Sequence, residues 1–378
     1  MGTNNNCNQR YSGFFITGTN TGVGKTVVTS FLLTNLLKIG IKTIALKPIQ
    51  TGVLPINNFV FGSPNTELYH KKHINNTNTE YNCDLSFIYN FTYNHYFNTI
   101  NCATDNTNFS KDFLQNSFKV ALSSQIRFLQ PCSPHIAAEL SDTTAICIKT
   151  ILKQLGKVQN FLSKQTNNNC SIDTFLVEGA GGVIVPINEK ETILDLIKCV
   201  TLPTIVVSDG ALGSINSTLL TINALKSANV DIAGFIFSDK ENIIFARSEC
   251  NCKAGLYFDT NNTNLTNAST SKFFVLAGKD KKFFLSIDIK EGKAISNYKY
   301  TLCNNCLQKL IFYNNAQTIA KISRVCFLGV VPNINKNHNH TASQVSINND
   351  NNTKRKKQEL QTVDFELITK LLKKQRLT

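Results

Sequence analysis

Residues 18–26 of this 378-residue chain read GTNTGVGKT, a glycine-rich stretch that is typical of one kind of fold. It follows an apolar run at residues 14–17. It comes directly before residues 25–39, where apolar residues recur at helical spacing until Gly40. A glycine-rich loop between a strand and a helix presents backbone N–H groups to phosphate oxygens at the positive end of the helix. We therefore predict a phosphate-binding loop, or P-loop, in a nucleotide-binding domain.

The end of this loop supplies two side chains that suit a magnesium nucleotide. Lys25 can reach the β- and γ-phosphate oxygens, and the Thr26 hydroxyl can bind Mg²⁺. The usual spacing would put the first glycine at position 19, but this chain has Thr19 there and Gly18 one residue earlier. The loop is therefore a variant of the common pattern, one residue longer.

The rest of the chain predicts an α/β fold with a doubly wound, mostly parallel sheet. Near-continuous apolar runs indicate strands that are covered on both faces, and they alternate with amphipathic helices. The predicted strands are residues 14–17, 41–46, 174–177, 204–208, 232–237 and 325–331. The clearest helices are residues 25–39 and about 214–228, together with one that ends the chain.

Polar tracts separate the predicted parts of the chain. We predict one P-loop α/β domain over residues 12–334, with Asn-rich tracts at 57–108 and 249–305 as low-complexity insertions or mobile loops. Residues 335–357 are predicted to be a polar linker, and residues 358–378 a C-terminal amphipathic helix. The sequence assigns no function to these insertions.

Ligands of such sheets bind beyond the carboxyl ends of the strands, so the residues found there are site candidates. Lys47 and Thr51 follow the second strand and would lie beside the P-loop if strands one and two are neighbours. Glu178 ends the third strand and offers the hard oxygen ligands that Mg²⁺ prefers. Residues 213–216 open a helix whose free N–H groups suit an anion such as a carboxylate.

Composition excludes some classes and leaves others open. The formal net charge of +14 permits anionic partners, but the basic run at 354–357 lacks interleaved aromatic residues, so we predict no nucleic-acid partner. Apolar runs are too short to span a bilayer, and the first residues do not resemble a secretory signal, so we expect a cytoplasmic protein without a membrane partner. Four of the twelve cysteines, namely Cys250, Cys252, Cys303 and Cys306, form the best zinc-like set, although the two pairs are far apart.

Five segments in one order resemble the dethiobiotin synthetase family of P-loop enzymes. They are FITGTNTGVGKT, ALKPIQTG, PCSPHIAAE, LVEGAGGVIVPI and LGSINSTLLT, with fainter support from AGFIFSD and FLGVVPNI. The resemblance implies an ATP- and Mg²⁺-dependent ligase that forms C–N bonds in biotin biosynthesis. Its small-molecule substrates would be 7,8-diaminononanoate, CO₂ and ATP, its products dethiobiotin, ADP and phosphate, and its assembly a homodimer.

Residue roles follow from the resemblance by position. Its catalytic residues would be Lys25, Lys47 and Thr21, and its metal ligands Thr26, Glu178 and Asn65, with Glu67 or Asp84 as substitutes for Asn65. The diamine substrate would contact Thr51, and its carboxylate would be received by Gly213, Ser214, Ile215 and Asn216 of the partner subunit. Nucleotide would be bound by Gly22, Val23, Gly24, Lys25, Thr26, Glu178, Gly181, Ser238 and Pro332.

The chain departs from the family pattern at two positions, and two other classes of protein stay open as alternatives. The family often has an acidic residue at Gly22 and a base-reading Asn at Ser238, so adenine specificity is less secure than phosphate binding. A dimeric ATPase switch usually carries an extra lysine near the start of the loop, where this chain has Thr19, Asn20 and Thr21. An amidoligase of the same fold would need a glutaminase domain, and no cysteine here stands in a recognisable glutaminase context.

Overall fold

The computed structural model describes residues 12–56, 80–97, 109–141, 146–164, 174–241, 243–244, 254–258, 273–277, 304–333 and 363–377. Strands and helices alternate along these residues. The strands are β1 (Gly13–Gly18), β2 (Thr43–Leu46), β3 (Ile49–Gln50), β4 (Leu54–Ile56), β5 (Glu80–Asn82), β6 (Ile126–Arg127), β7 (Thr174–Gly182), β8 (Thr204–Ser208), β9 (Ile232–Asp239), β10 (Ala254–Phe258), β11 (Phe273–Ala277) and β12 (Phe327–Pro332). The helices are α1 (Lys25–Lys38), α2 (Asp84–Phe97), α3 (Lys111–Ser123), α4 (Pro134–Leu140), α5 (Ile148–Lys164), α6 (Ile193–Val200), α7 (Ser214–Ser227), α8 (Asn304–Ser323) and α9 (Phe365–Leu377).

A six-stranded parallel sheet forms the centre of the domain, in the order β12-β9-β8-β1-β7-β2. All six predicted strands are present, and the predicted fold class is confirmed. The condition that strands one and two are neighbours is not met, because β7 lies between β1 and β2 and pairs with both. The carboxyl ends of β1, β7 and β2 therefore stand side by side in that order.

Burial on both faces explains why the strands are apolar throughout. Every residue of β1 and β8 is buried. Helix α1 buries Val28, Leu32 and Leu36 at the spacing predicted for one face. Phe237 of β9 packs edge-on against Phe312 of α8, with ring centroids 5.0 Å apart. Apolar layers thus enclose the sheet, and the polar residues of interest are confined to its carboxyl end.

The first polar tract contains a buried helix, so the prediction of a loop is wrong over α2. This helix buries Leu85, Ile88, Tyr89 and Tyr96, and Thr34 of α1 donates a hydrogen bond to its Thr92 at 3.1 Å. Their spacing of three, four and seven residues is helical, but the many Asn and Thr residues between them obscured it. α2 therefore belongs to the core.

Other tract predictions have mixed outcomes. β10 and β11 form an antiparallel pair within residues 249–305, so this tract is not entirely loop. Residues 335–357 lie outside the described residues. The C-terminal helix is present over α9, where Ile368 and Leu372 are buried. Among the described helices, none is both long and apolar enough for a bilayer crossing.

Both edges of the central sheet are hydrogen-bonded to residues outside it. At the β2 edge, the Tyr89 hydroxyl accepts a hydrogen bond from Ala45 N–H at 3.2 Å and donates one to Ala45 C=O at 3.1 Å. At the β12 edge, the Asp364 N–H, just before α9, donates to Leu328 C=O at 2.8 Å. The polar groups of both edge strands thus have partners at these positions.

Candidate active site

The P-loop joins β1 to α1 as predicted, and two of its glycines require a left-handed backbone. Gly22 has φ 73° and Gly24 has φ 100°, a region that residues with a Cβ rarely adopt. Gly24 is the N-cap of α1, so the first free N–H groups of the helix face the loop. The geometry is that of an anion site.

Lys25 folds back over the loop. Its Nζ donates to the Asn20 C=O at 2.9 Å, and the side chain is only 6% exposed. Burial, with the nearby Lys47 charge adding to it, lowers the pKa of Lys25 to about 8. Exposed Thr21 lies at the mouth of the loop, and a Cβ on Gly181 would be 3.6 Å from the Thr21 hydroxyl. The lysine is therefore held next to the position where phosphate charge would bind.

A buried charge cluster lies beside the loop, where β7 and β2 end. Lys47 Nζ donates to Glu178 Oε1 at 2.6 Å and forms a second ion pair with Asp84 of α2. Although burial opposes it, the charges of Asp84 and Glu178 raise the pKa of Lys47. Burial acts to raise the pKa of Asp84, but the Lys47 charge and the hydrogen bonds from Lys47 and Thr26 together lower it. Lys47 and Asp84 are therefore charged at neutral pH, and Lys47 lies between the carboxyl groups of Asp84 and Glu178.

The cluster fits a magnesium ion. Thr26 Oγ1 donates to Glu178 Oε1 at 3.0 Å, and Glu178 Oε2 is buried without a hydrogen-bond partner among the described residues. A buried carboxylate oxygen left unpaired is costly unless a ligand completes it. Asp84 adds a third oxygen donor through its contact with Thr26. No three His, Cys, Asp or Glu residues group together in the described part of the chain, so Thr26 is needed to complete the donor set.

Asp84 provides the third oxygen donor of the cluster, and the sequence analysis named it only as a substitute for Asn65. Asn65, the predicted ligand, lies outside the described residues, as does Glu67, whereas Asp84 begins α2 within the cluster. Gln50 supports this position, since its Oε1 accepts from Asp84 N–H at 3.4 Å and its Nε2 donates to Thr51 C=O at 2.9 Å. Recognising the helical spacing of α2 would have favoured Asp84, because that residue stands at its first position.

Other predicted nucleotide residues surround the loop. Ser238, at the end of β9, is 1% exposed, and a Cβ on Gly24 would come 2.2 Å from its hydroxyl oxygen. Ser238 therefore packs beneath the loop backbone, and its contact with a base stays a prediction. Pro332 ends the neighbouring β12, opposite Asp239. Buried Val23 packs within the loop itself, since a Cβ on Gly18 would approach its side chain to 2.7 Å.

The predicted carboxylate-receiving helix start has one buried and several open positions. Ser214 is 2% exposed, and Asn315 of α8 donates a hydrogen bond to its hydroxyl at 3.4 Å. Gly213, with φ 91°, has open space around it, and the preceding Leu212 is fully exposed. Asn216 is exposed and Ile215 half-buried. Ser214 is closed to a ligand, because its N–H also donates to the Ala211 C=O at 3.0 Å, whereas exposed Asn216 can offer its side chain.

The four cysteines of the zinc-like set cannot be placed together. Cys250, Cys252 and Cys303 lie outside the described residues, and the side chain of Cys306 does as well, so the zinc hypothesis stays a prediction. Asp209, a turn residue after β8, accepts from Ala211 N–H at 3.2 Å. This hydrogen bond within the turn explains why an aspartate stands at position 209.

Comparison with known proteins agrees with this geometry. A family model described as an AAA domain matches residues 12–341. The ATP-dependent dethiobiotin synthetase of Thermodesulfovibrio yellowstonii is 30% identical over 237 residues, covering 61% of this chain and 77% of that protein. The enzymes of that name from Lysinibacillus sphaericus and Methanocaldococcus jannaschii are 31% and 34% identical, covering 60% and 59% of this chain and 74% and 78% of theirs. This similarity agrees with the P-loop, with the parallel sheet and with the order of the motifs along the sequence. The chain therefore belongs to the dethiobiotin synthetase family.

Proposed function

We propose that this chain is an ATP-dependent dethiobiotin synthetase that converts 7,8-diaminononanoate and CO₂ into dethiobiotin. The observation that carries the proposal is the pair of buried lysines, Lys25 at the P-loop and Lys47 between Asp84 and Glu178. One lysine suits the phosphates of a nucleotide, and the second suits a carboxylate-like group beside them. In a nucleotide switch without a carboxylated substrate, Lys47 would serve only to pair with Asp84 and Glu178.

The proposed reaction has three steps. One amine of the substrate adds to CO₂ and loses a proton, which gives a carbamate. A carbamate oxygen then attacks the γ-phosphorus of ATP, and the bond to the β-phosphate oxygen breaks to release ADP. Finally the second amine attacks the carbamoyl carbon, phosphate leaves, a proton is lost and the cyclic urea closes. Phosphoryl transfer of this kind depends mainly on positioning and on neutralised charge.

The residues of the site suit these steps. Lys25 and the N–H groups at the start of α1 would bind the β- and γ-phosphates, with Thr21 at the mouth of the loop. Lys47 would neutralise the carbamate, because its ammonium is already oriented by two carboxylates. Thr26, Glu178 and Asp84 would hold Mg²⁺, which when bound neutralises phosphate charge. Thr51 would hydrogen-bond a substrate amine or carbamate.

A homodimer would complete the substrate site, and we include it in the proposal. The start of α7 would bind an anion at Gly213 and Asn216, which are exposed, and Leu212 beside them is fully exposed. A fully exposed leucine next to an anion site favours an interface in which a partner subunit covers it. The receiving helix would then bind the carboxylate of a substrate held by the other subunit.

The test is a coupled phosphate-release assay with the diamine, bicarbonate and each nucleoside triphosphate in turn, with mass spectrometry of the product. We expect phosphate release only when diamine, CO₂ and ATP are all present, in a one-to-one ratio with dethiobiotin. Phosphate release that is independent of the diamine would instead indicate an ATPase switch.

A further inference from the structure

One hydroxyl group joins α2 to the free edge of β2. The Tyr89 hydroxyl accepts from the N–H of Ala45 and donates to the C=O of the same residue, at 3.2 and 3.1 Å. Its ring is fully buried, and this burial raises the pKa of Tyr89 despite the opposing bond to Ala45. The phenol thus stays protonated and can make both hydrogen bonds.

The two elements that Tyr89 joins are those that carry an ion pair of the site. Lys47 follows Ala45 by two residues, which is about 7 Å along a strand. Asp84 precedes Tyr89 by five residues, which is about 7.5 Å along a helix. The hydroxyl and the ion pair therefore fix α2 to β2 at two points that are separated by nearly the same distance on each element.

Apolar packing alone would not fix this position. Leu85 and Ile88 of α2 are fully buried, but burial of apolar surface has no preferred direction and tolerates small shifts. Hydrogen bonds from one hydroxyl to both polar groups of a strand residue are directional. The other polar link near Asp84, from Gln50, is longer at 3.4 Å.

We propose that Tyr89 is a positioning residue: its hydroxyl holds α2 against β2 and so fixes the Asp84 carboxylate relative to Lys47 and Thr26. This inference rests on the metal assignment within the proposed function. It concerns how the third oxygen donor is held, since Asp84 comes from a helix and the other donors come from the P-loop and β7. Loss of the hydroxyl should therefore weaken metal binding more than it disturbs the fold.

The chain offers a matched control on the same helix. Tyr96 is 2% exposed, and its hydroxyl bonds to the backbone of Phe109 instead of β2. We would compare Tyr89→Phe with Tyr96→Phe, and with Ile88→Val as a variant that loosens α2 without removing a hydroxyl. Binding of Mn²⁺ in the presence of ADP, followed by water proton relaxation, reports the metal site without turnover.

We expect Mn²⁺ binding to weaken about tenfold or more in Tyr89→Phe, which corresponds to about 1.4 kcal/mol or more. Tyr96→Phe and Ile88→Val should stay within about twofold of wild type. Equal weakening in all three variants, or none in Tyr89→Phe, would overturn the proposal. Wild-type Mn²⁺·ADP binding without diamine-dependent turnover would contradict the proposed function and leave the positioning test intact.

A measurement on the unaltered protein keeps the test decisive if Tyr89→Phe does not fold. Because coupling between two sites is reciprocal, a metal that depends on the Tyr89 bonds must also strengthen them. Hydrogen exchange at the Ala45 amide should therefore slow at least threefold when Mn²⁺·ADP is added. An exchange rate that is unchanged by saturating Mn²⁺·ADP would refute the coupling.

Discussion

Replacing Lys47 with methionine should destabilise the fold strongly, because it removes the cation between two carboxylates. Lys47 is 6% exposed, Glu178 is fully buried, and Asp84 is 35% exposed. Removing one partner of a buried ion pair costs about 3 to 5 kcal/mol, since the remaining charge is left unpaired. Water can solvate part of Asp84 but not Glu178. We therefore expect a loss of about 3 kcal/mol in the free energy of unfolding at pH 7.

The loss of unfolding free energy in Lys47→Met should depend on pH, and the pKa shifts give the direction of this dependence. The pKa of Asp84 is lowered in the folded protein, so its stabilising contribution is present above its unfolded pKa of about 3.9 and disappears as the pH falls through the folded value. The pKa of Lys47 is raised, so its contribution is complete below about pH 10.4 and disappears above the folded value. The difference between Lys47→Met and wild type should thus be greatest between about pH 5 and 9.

Urea unfolding followed by far-UV circular dichroism measures this difference, and the chain has no tryptophan to report by fluorescence. Lys153→Met, at an exposed position on α5, is the control and should change stability by less than about 0.5 kcal/mol. Adding Glu178→Gln to Lys47→Met should recover part of the loss. A Lys47→Met loss below about 1 kcal/mol that is the same at pH 4 and pH 7 would refute the view that these charges form one buried cluster.

Three further predictions concern the loop and the subunit interface. Because the pKa of Lys25 is about 8, the dissociation constant of ATP should rise up to about tenfold between pH 8 and 9, and calorimetry should find this rise missing in Lys25→Met. Gly24→Ala should abolish nucleotide binding, since its Cβ would come 2.2 Å from Ser238 Oγ at φ 100°, whereas Gly22→Ala, with nothing within 4 Å, should cost only about 1 kcal/mol in binding. Mixing inactive Lys25→Ala subunits with inactive Asn216→Trp subunits should restore part of the diamine-dependent activity, and proven subunit exchange without recovery would contradict a shared site.

The sheet and the P-loop could be predicted from the sequence because each is a local pattern. Six apolar runs identified the six strands, and GKT between a strand and a helix identified the loop. The order of the strands in the sheet could not be predicted in the same way. The insertion of β7 between β1 and β2 is a long-range pairing, and it is this pairing that puts Glu178 next to Lys47.

The sequence named Asp84 only as a substitute ligand, and the reason is compositional. Residues 57–108 are so rich in Asn and Thr that their mean character resembles a loop, although Leu85, Ile88, Tyr89 and Tyr96 recur at helical spacing. Side-chain direction was also beyond reach of the sequence. The sequence predicts an anion site at Gly213 to Asn216, but it cannot show that the Ser214 hydroxyl accepts a hydrogen bond from Asn315 of α8. That bond joins residues a hundred positions apart in the chain.

The hydrogen bonds at the two edges of the sheet also bear on aggregation. An edge strand with unpaired polar groups is a template for another chain, and the apolar sequence TIAL of β2 would suit such pairing. Tyr89 occupies both polar groups of Ala45, and the segment before α9 occupies Leu328 at the opposite edge. A chain that carries long Asn-rich tracts, which themselves favour cross-β stacking, thereby presents fewer sites where a fibril could begin. We therefore expect solubility to depend on helices α2 and α9 remaining docked at these edges.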